Sequence, residues 1–254
     1  MPFTDATRQL IRTYLTQEVE RYIHENATNQ PAMDTKPFHA RLMPVLFGIQ
    51  FSERSFSTRL GLWFQRLALH VAQQYNRQAQ LGYLVMGELQ PAAEAQLTAI
   101  IAQMDANTRV PNRAIDTAQI IGLQYPGGAN RRVRSDLFII RNDGSEVYFE
   151  MKTVKPNKGT FAEMKYNILK IMAMRYQQNA QAFAAMSYNP AGDGNAYHPD
   201  FNQYLEVGTE LKVGRPFWEF IGDNQTYDEL LQIAEEVGAA TRPAVNAAID
   251  AATR

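Results

Sequence analysis

Apolar residues near the N-terminus recur at helical spacing. Between residues 5 and 25, with charged residues interspersed, one stripe carries Leu10, Ile11, Tyr14, Leu15, Val19, Tyr22 and Ile23. This pattern predicts an amphipathic helix. The prolines and polar residues of Asn26 to Pro44 favour an irregular connection. Helical spacing then predicts a second helix from about Ser57 and a third after Pro91.

The period of the apolar positions changes to two in the middle of the chain. Two apolar runs, Leu137 to Ile140 and Val147 to Phe149, flank Asn142-Asp143-Gly144, which is typical of a β-hairpin. Helical spacing returns over residues 161 to 180, and Phe183 to Ser187 predicts another strand. The expected order is therefore strand, strand, helix, strand.

The remainder of the chain predicts a short strand and then helices. The strand lies near Leu211 to Val213, and an aromatic helical turn follows Pro216. Helices are expected near Tyr227 to Val237 and in the alanine-rich stretch after Pro243. We interpret the whole as one α/β domain with a central mixed sheet flanked by helices, divided into a mainly helical part (1–110), a core (131–190) and a C-terminal part (204–254).

Composition narrows the class of protein. The chain has 254 residues, 45% apolar and 20% charged, as in ordinary soluble globular proteins. It has no cysteine, which excludes disulfides, thiolate zinc sites and cysteine nucleophiles, and a cytoplasmic location is expected. The net charge of −1 argues against a generally basic nucleic-acid coat protein. A DNA enzyme of this composition would have to gather its basic residues on one face.

The predicted hairpin brings together two acids and a lysine. Alternate residues of a strand share a face, so Glu150 and Lys152 point the same way, whereas Met151 points toward the core. If the loop is the three residues Asn142 to Gly144, Asp136 lies opposite Glu150, with side chains about 5 Å apart. A two-residue turn would shift this pairing by one, although a bulge could restore it.

Paired carboxylates in a chain without cysteine favour a hard cation. Asp136 and Glu150 suit Mg²⁺, whose other positions would be filled by water and a phosphate oxygen. The backbone carbonyl of Met151 is a further candidate ligand. Lys152 would orient the attacking water or stabilise the developing negative charge. The pattern therefore predicts phosphodiester hydrolysis.

Five blocks of sequence occur in order along most of the chain: Phe51 to Gly61, Ser135-Asp136, Phe149 to Lys158, Tyr188-Asn189-Pro190 and Phe217 to Gly222. They resemble blocks of the TdeIII-like family of type II restriction endonucleases, which have the PD-(D/E)XK nuclease core. The resemblance implies an enzyme that cuts double-stranded DNA at a short palindromic site, of the GGNCC kind, using Mg²⁺. It also implies a homodimer and a partner DNA methyltransferase that acts on the same site.

Further candidates surround the three central residues. Glu53 would support the metal site from an early helix, or would merely complement the helix dipole. Arg54 and Ser57 are candidate phosphate contacts. Arg131, Arg132 and Arg134 are interpreted as a clamp for the phosphates that flank the cleaved bond; the alternative is a solvated loop. Lys155 and Lys158 are also expected to lie near the DNA backbone. The candidate base-reading residues are Asn157 and Asn189.

Two other functions remain open from the sequence. A repair or junction nuclease with the same core would cut according to DNA structure and not sequence. A catalytically silent DNA-binding protein would hold Asp136, Glu150 and Lys152 as a surface salt-bridge cluster and would not depend on a metal ion.

Overall fold

A computed structural model of the chain describes residues 2–26, 53–152, 157–197 and 202–252, except for the side chains at 25, 26, 53–60, 245 and 248–252. No helix in these ranges is both long and apolar enough to cross a membrane. The helices and strands follow in the order α1 (Asp5–Asn26), α2 (Glu53–Tyr75), β1 (Gln78–Leu89), α3 (Pro91–Asp105), α4 (Arg113–Ile121), β2 (Ala129–Ile140), β3 (Glu146–Lys152), α5 (Lys158–Met174), β4 (Ala180–Met186), β5 (Leu211–Val213), α6 (Arg215–Ile221) and α7 (Thr226–Ala252).

The five strands form one mixed sheet in the order β1-β2-β3-β4-β5. β1 pairs antiparallel with β2, and β2 pairs antiparallel with β3. β3 and β4 are parallel, with α5 as their crossover helix, and β4 and β5 are parallel. The expected mixed sheet flanked by helices is confirmed.

Each face of the sheet is covered by helices and has its own apolar core. The first core joins α1, α2, α6 and α7 to one face, where Leu137, Val147 and Phe149 point. The second core joins α3, α4 and α5 to the other face, where Phe138 and Tyr148 point. Because neighbouring residues of β2 and β3 supply both cores, these two strands are apolar on both sides.

Several elements differ from the sequence expectation. β1 was not anticipated, nor was α4. β2 begins at Ala129, so Arg131 to Arg134 lie in a strand and not in a loop. The two expected C-terminal helices form one helix, α7, which contains Pro243. The first helix, the third helix and the β2–β3 hairpin are confirmed.

β1 and β2 exchange their two faces at a single rung. In β1, Leu81 packs against the first core, whereas Val85 packs against the second although both positions are odd. In β2, Val133 faces the second core and Leu137 the first. The change occurs at Gly82, whose φ is +62°. Because Leu81 pairs with Leu137 and Tyr83 pairs with Ser135, Gly82 lies opposite Asp136. A left-handed glycine inside a strand interrupts the alternation of side chains.

Candidate active site

The turn between β2 and β3 sets the position of the candidate acids. The Arg141 amide donates to Ser145 O at 2.9 Å, and the Gly144 amide donates to Arg141 O at 2.9 Å. Gly144 has φ of +85°, the conformation that closes a three-residue hairpin loop. The register then runs to Leu137 opposite Phe149. The predicted loop and register are confirmed.

Beyond Leu137 the two strands separate, and side chains replace the backbone ladder. The Ser135 hydroxyl oxygen lies 3.1 Å from Phe149 O and 3.2 Å from Phe149 N, and is fully buried. The residue after Ser135, Asp136, accepts a hydrogen bond at its Oδ2 from the Met151 amide, at 2.7 Å. Asp136 is therefore anchored to the strand that carries Glu150 and Lys152.

Lys152 lies between the two acids. Its Nζ is 3.7 Å from Asp136 Oδ2 and 3.9 Å from Glu150 Oε2. The side chains of Lys152 and Asp136 are partly exposed, whereas Glu150 is only 4% exposed. The structure thus brings the three residues together at the end of β3, with one buried carboxylate beneath a solvent-accessible ammonium group.

Burial dominates the electrostatics of Glu150. It raises the pKa of Glu150 to about 8; the negative charges of Asp136 and Glu163 act in the same direction. The Lys152 ammonium and a hydrogen bond to Asn167 oppose the rise. Glu150 Oε1 is buried and has no hydrogen-bond partner within the described residues. A buried carboxylate with an unsatisfied oxygen requires either a proton or a cation.

These features fit a divalent cation held by few protein ligands. Asp136 and Glu150 offer hard oxygens next to Lys152, and Glu150 Oε1, which has no partner among the described residues, is the atom that a cation would satisfy. In the described ranges no three His, Asp or Glu side chains are arranged to hold a metal ion. A site with two carboxylates suits Mg²⁺, which usually keeps several waters and a phosphate oxygen.

The arginines before Asp136 fall into two groups. Arg131 forms a paired contact with Glu94 of α3, at 3.0 Å from Nε to Oε1 and 2.7 Å from Nη2 to Oε2. Arg132 and Arg134 are exposed on the opposite face of β2 and make no ion pair within the described part of the chain. Among the described residues, these two, and not Arg131, have guanidinium groups without an acidic partner.

The remaining candidates are separated from this centre or engaged elsewhere. Asn157 caps α5, its Oδ1 accepting from Thr160 N at 2.9 Å. Asn189 is 8% exposed, and its amide holds its own loop through Asn195 O and Ala191 N. Lys158 is exposed at the start of α5. Outside the described residues lie Lys155 and the side chains of Glu53, Arg54 and Ser57; Glu53 itself is the first residue of α2.

A family model described as "Type II restriction endonuclease, HinfI" matches residues 3–238. The chain belongs to the HinfI family of type II restriction endonucleases. It is similar to three type II restriction enzymes of Herpetosiphon aurantiacus. HgiCII is 35% identical over 213 residues, covering 81% of this chain and 78% of the relative. HgiEI is 34% identical over 232 residues (88% and 84%), and HgiBI is 30% identical over 263 (94% and 96%).

Membership of the HinfI family fixes the class of activity. The expected site-specific endonuclease acting on double-stranded DNA is confirmed. The sequence blocks resembled TdeIII-like enzymes, and the model that matches is that of HinfI; both belong to the type II class. The helix-flanked mixed sheet is accordingly a restriction-endonuclease-like fold.

Sequence reasoning did not assign a role to three residues of this candidate site. Ser135 replaces ladder hydrogen bonds where β2 and β3 part, and Asn167 hydrogen-bonds Glu150 from α5. Glu163, one helical turn before Asn167, adds negative charge. Glu163 and Asn167 are four residues apart on the helix that follows the Glu-x-Lys strand, so they share one face of that helix. This spacing was the signal that could have identified them.

Proposed function

We propose that Asp136, Glu150 and Lys152 form the catalytic centre, and that it hydrolyses the DNA phosphodiester bond with Mg²⁺. The observation that carries this proposal is the buried, unsatisfied Oε1 of Glu150, beside Asp136 and within 3.9 Å of the Lys152 ammonium. A magnesium ion supplies polarisation of the phosphate and a more acidic water. Asp136 and Glu150 would hold it, with the Met151 carbonyl as a further oxygen.

Each residue of the centre has a separate task. The Met151 amide fixes the orientation of Asp136 through its 2.7 Å hydrogen bond, so the carboxylate needs no reorganisation when DNA binds. Asn167, on α5, favours the charged form of Glu150 and so lowers its pKa, against the larger effect of burial. Lys152 is the partly exposed cation of the group; it orients the attacking water and stabilises negative charge on the phosphate oxygens. Glu53 is a further acidic candidate by sequence.

Basic residues around the centre would position the DNA backbone. Arg132 and Arg134 are the best candidates for phosphate contacts, because they are exposed and precede Asp136 on the same strand. Lys158 is exposed at the start of α5. Arg54, Ser57 and Lys155 remain candidates by sequence. Asn157 and Asn189 would have to exchange their present hydrogen bonds for base contacts in order to read sequence.

We further propose that the enzyme acts as a homodimer on a short palindrome, of the GGNCC kind. The two strands of a palindrome are related by a two-fold axis, and a two-fold symmetric dimer presents one centre to each. A DNA methyltransferase acting on the same site would protect the host. The three relatives, all named type II restriction enzymes, favour this activity over structure-specific repair.

The decisive experiment is digestion of a sequenced plasmid by the purified protein, with Mg²⁺ and with EDTA, followed by run-off sequencing of the ends. We expect discrete, Mg²⁺-dependent ends that share one short palindrome. Ends that map to junctions or mismatches would instead assign the centre to a structure-specific nuclease. A folded protein that binds duplex DNA and leaves it intact would contradict the catalytic proposal.

A further inference from the structure

On the N-terminal side of Asp136, β2 pairs only with β1, and the two strands form a two-stranded ribbon. Pairing between β2 and β3 ends at Leu137, whereas β1 and β2 remain paired to Leu89 opposite Ala129. We use the name ribbon for residues 82–89 of β1 and 129–136 of β2. One of its faces packs on the second core through Val85 and Val133. The ribbon is therefore supported from behind.

The support is close. A Cβ on Gly87 would lie 2.8 Å from the Met174 Cβ and 2.9 Å from Met174 O, so α5 approaches the ribbon as near as backbone atoms allow. Since α5 also carries Asn167, which acts on the pKa of Glu150, the same helix contacts the ribbon and adjoins the proposed catalytic centre.

The opposite face of the ribbon is exposed and combines apolar with basic side chains. Leu84 is 45% exposed and lies directly across from Arg134; Met86 is 67% exposed and lies across from Arg132. Glu88, on the same face of β1, accepts hydrogen bonds from the Gly127 and Gly128 amides at 2.6 and 3.2 Å. The free charge between these apolar residues is therefore positive.

Position links this face to the scissile phosphate. Arg134 and Arg132 precede Asp136 by two and four residues, which corresponds to about 7 and 13 Å along a strand. The Arg134 guanidinium carbon would lie 3.6 Å from a Cβ on Gly82, the residue on the Asp136 rung. Such distances match about two to four base steps of one DNA strand.

We propose that the exposed ribbon face binds duplex DNA beside the cut, with Leu84 and Met86 against the edge of a groove and Arg132 and Arg134 on the flanking phosphates. This rests on the proposed function. Two exposed large apolar residues beside unpaired arginines favour DNA over a second copy of the chain, because that copy would present the same positive charge. Leucine and methionine are residues that enter DNA grooves as apolar contacts.

Salt-dependent binding separates the two kinds of contact. Affinity for a DNA duplex of mixed sequence is measured by fluorescence anisotropy without divalent cation, over a range of salt. Leu84→Ser with Met86→Ser should weaken binding about tenfold with no change in the salt slope. Arg132→Gln with Arg134→Gln should lower the slope of log K against log salt by about 1.8, because each lost phosphate contact contributes about 0.9.

Matched controls use residues with similar exposure elsewhere. Val110→Ser with Ile115→Ser removes apolar groups that are 84% and 53% exposed, and Arg77→Gln removes an exposed arginine at the far end of β1. Both controls should bind as the wild type does. Equal losses in ribbon and control variants, or an unchanged salt slope, would overturn the proposal. So would loss of the dimer in sedimentation with unchanged binding per protomer.

Parallel cleavage assays keep this proposal distinct from the catalytic one. If wild-type protein fails to cut with Mg²⁺ while the ribbon variants bind less tightly as described, the catalytic proposal fails and the ribbon surface stands. If the wild type cuts and the ribbon variants bind normally, the ribbon proposal fails and the catalytic proposal stands.

Discussion

The Met151 amide donates a 2.7 Å hydrogen bond to Asp136 Oδ2, in place of the ladder bond that the next rung of the hairpin would make. One acid of the candidate centre is thus attached to the strand that carries the other. Because Met151 lies between Glu150 and Lys152 in sequence, this bond holds Asp136 next to the segment that carries the other two residues. The separation of β2 and β3 at Leu137 creates the space in which they meet.

Replacing Lys152 with methionine should remove catalysis while keeping the fold. Lys152→Met loses the ammonium group 3.7 Å from Asp136, and we expect the single-turnover cleavage rate to fall about 10² to 10³-fold. DNA affinity without divalent cation should change less than threefold, an estimate from one lost cation near the backbone. Lys170→Met, on α5, is the control and should cut normally; equal rate losses in both variants would count against a role for Lys152.

Glu150→Gln should stabilise the protein in the absence of divalent cation, with a clear dependence on pH. The folded-state pKa of about 8 lies above the ordinary value of 4.5, so folding takes up a proton between these two pH values. Wild-type stability is therefore lost as pH rises from about 4.5 to about 8. The variant lacks this loss. The difference in unfolding free energy between the variant and the wild type should therefore grow across that window by on the order of 1.4 kcal/mol per pH unit and then level off.

Urea unfolding in EDTA at a series of pH values measures this difference. The same variant should abolish cleavage, and added Mg²⁺ should raise the melting temperature of the wild type alone, because a ligand that binds only the folded state stabilises it. A difference that shrinks as the pH rises would refute the buried-carboxylate account.

Gly82→Ala should cost both stability and activity. At φ of +62° a side chain is strained by roughly 1–2 kcal/mol, and relief of that strain would move the rung shared with Asp136. Gly208→Ala is the matched control, since its φ is +81° and no atom lies within 4 Å of the added Cβ. Both variants should be destabilised to a similar extent, as measured by thermal unfolding, but only Gly82→Ala should lower the cleavage rate.

Lys165→Met should destabilise the fold strongly. Lys165 Nζ is fully buried on α5, 2.7 Å from Asp116 Oδ2 and 2.8 Å from Glu210 Oε2. Removing it leaves the buried Glu210 without its cation, at a cost of about 3–5 kcal/mol, whereas Asp116 keeps its ion pair with Arg109. Burial already raises the pKa of Glu210, so protonation at lower pH should reduce the loss. Adding Glu210→Gln should recover part of it in denaturant unfolding, and no recovery would mean that packing dominates.

The sequence predicted the hairpin because its information is local. Asn142-Asp143-Gly144 selects the loop, the loop selects the register, and the register places Asp136 near Glu150. The buried stripe of the first helix, with Ile11, Leu15 and Val19, followed equally from helical spacing. By contrast, the contact of Asn167 with Glu150 depends on how α5 packs across the sheet, which no local pattern specifies.

β1 escaped detection for a physical reason. A strand is recognised by alternation of apolar and polar residues, but β1 reverses its faces at Gly82. Leu81 and Val85 therefore serve different cores, and the exposed Leu84 and Met86 fill the polar positions with apolar residues. The same reversal places the start of β2, with its arginines, outside the pattern that identifies the rest of the hairpin.

The three-residue turn at Asn142 to Gly144 also governs how this enzyme can diversify. Both acids depend on one short stretch of chain, whose closure costs little entropy and needs no distant element to define it. Loops and helices that touch other base pairs can therefore change without disturbing the distance between the carboxylates. Such a separation would let target recognition change while the candidate catalytic centre stays the same.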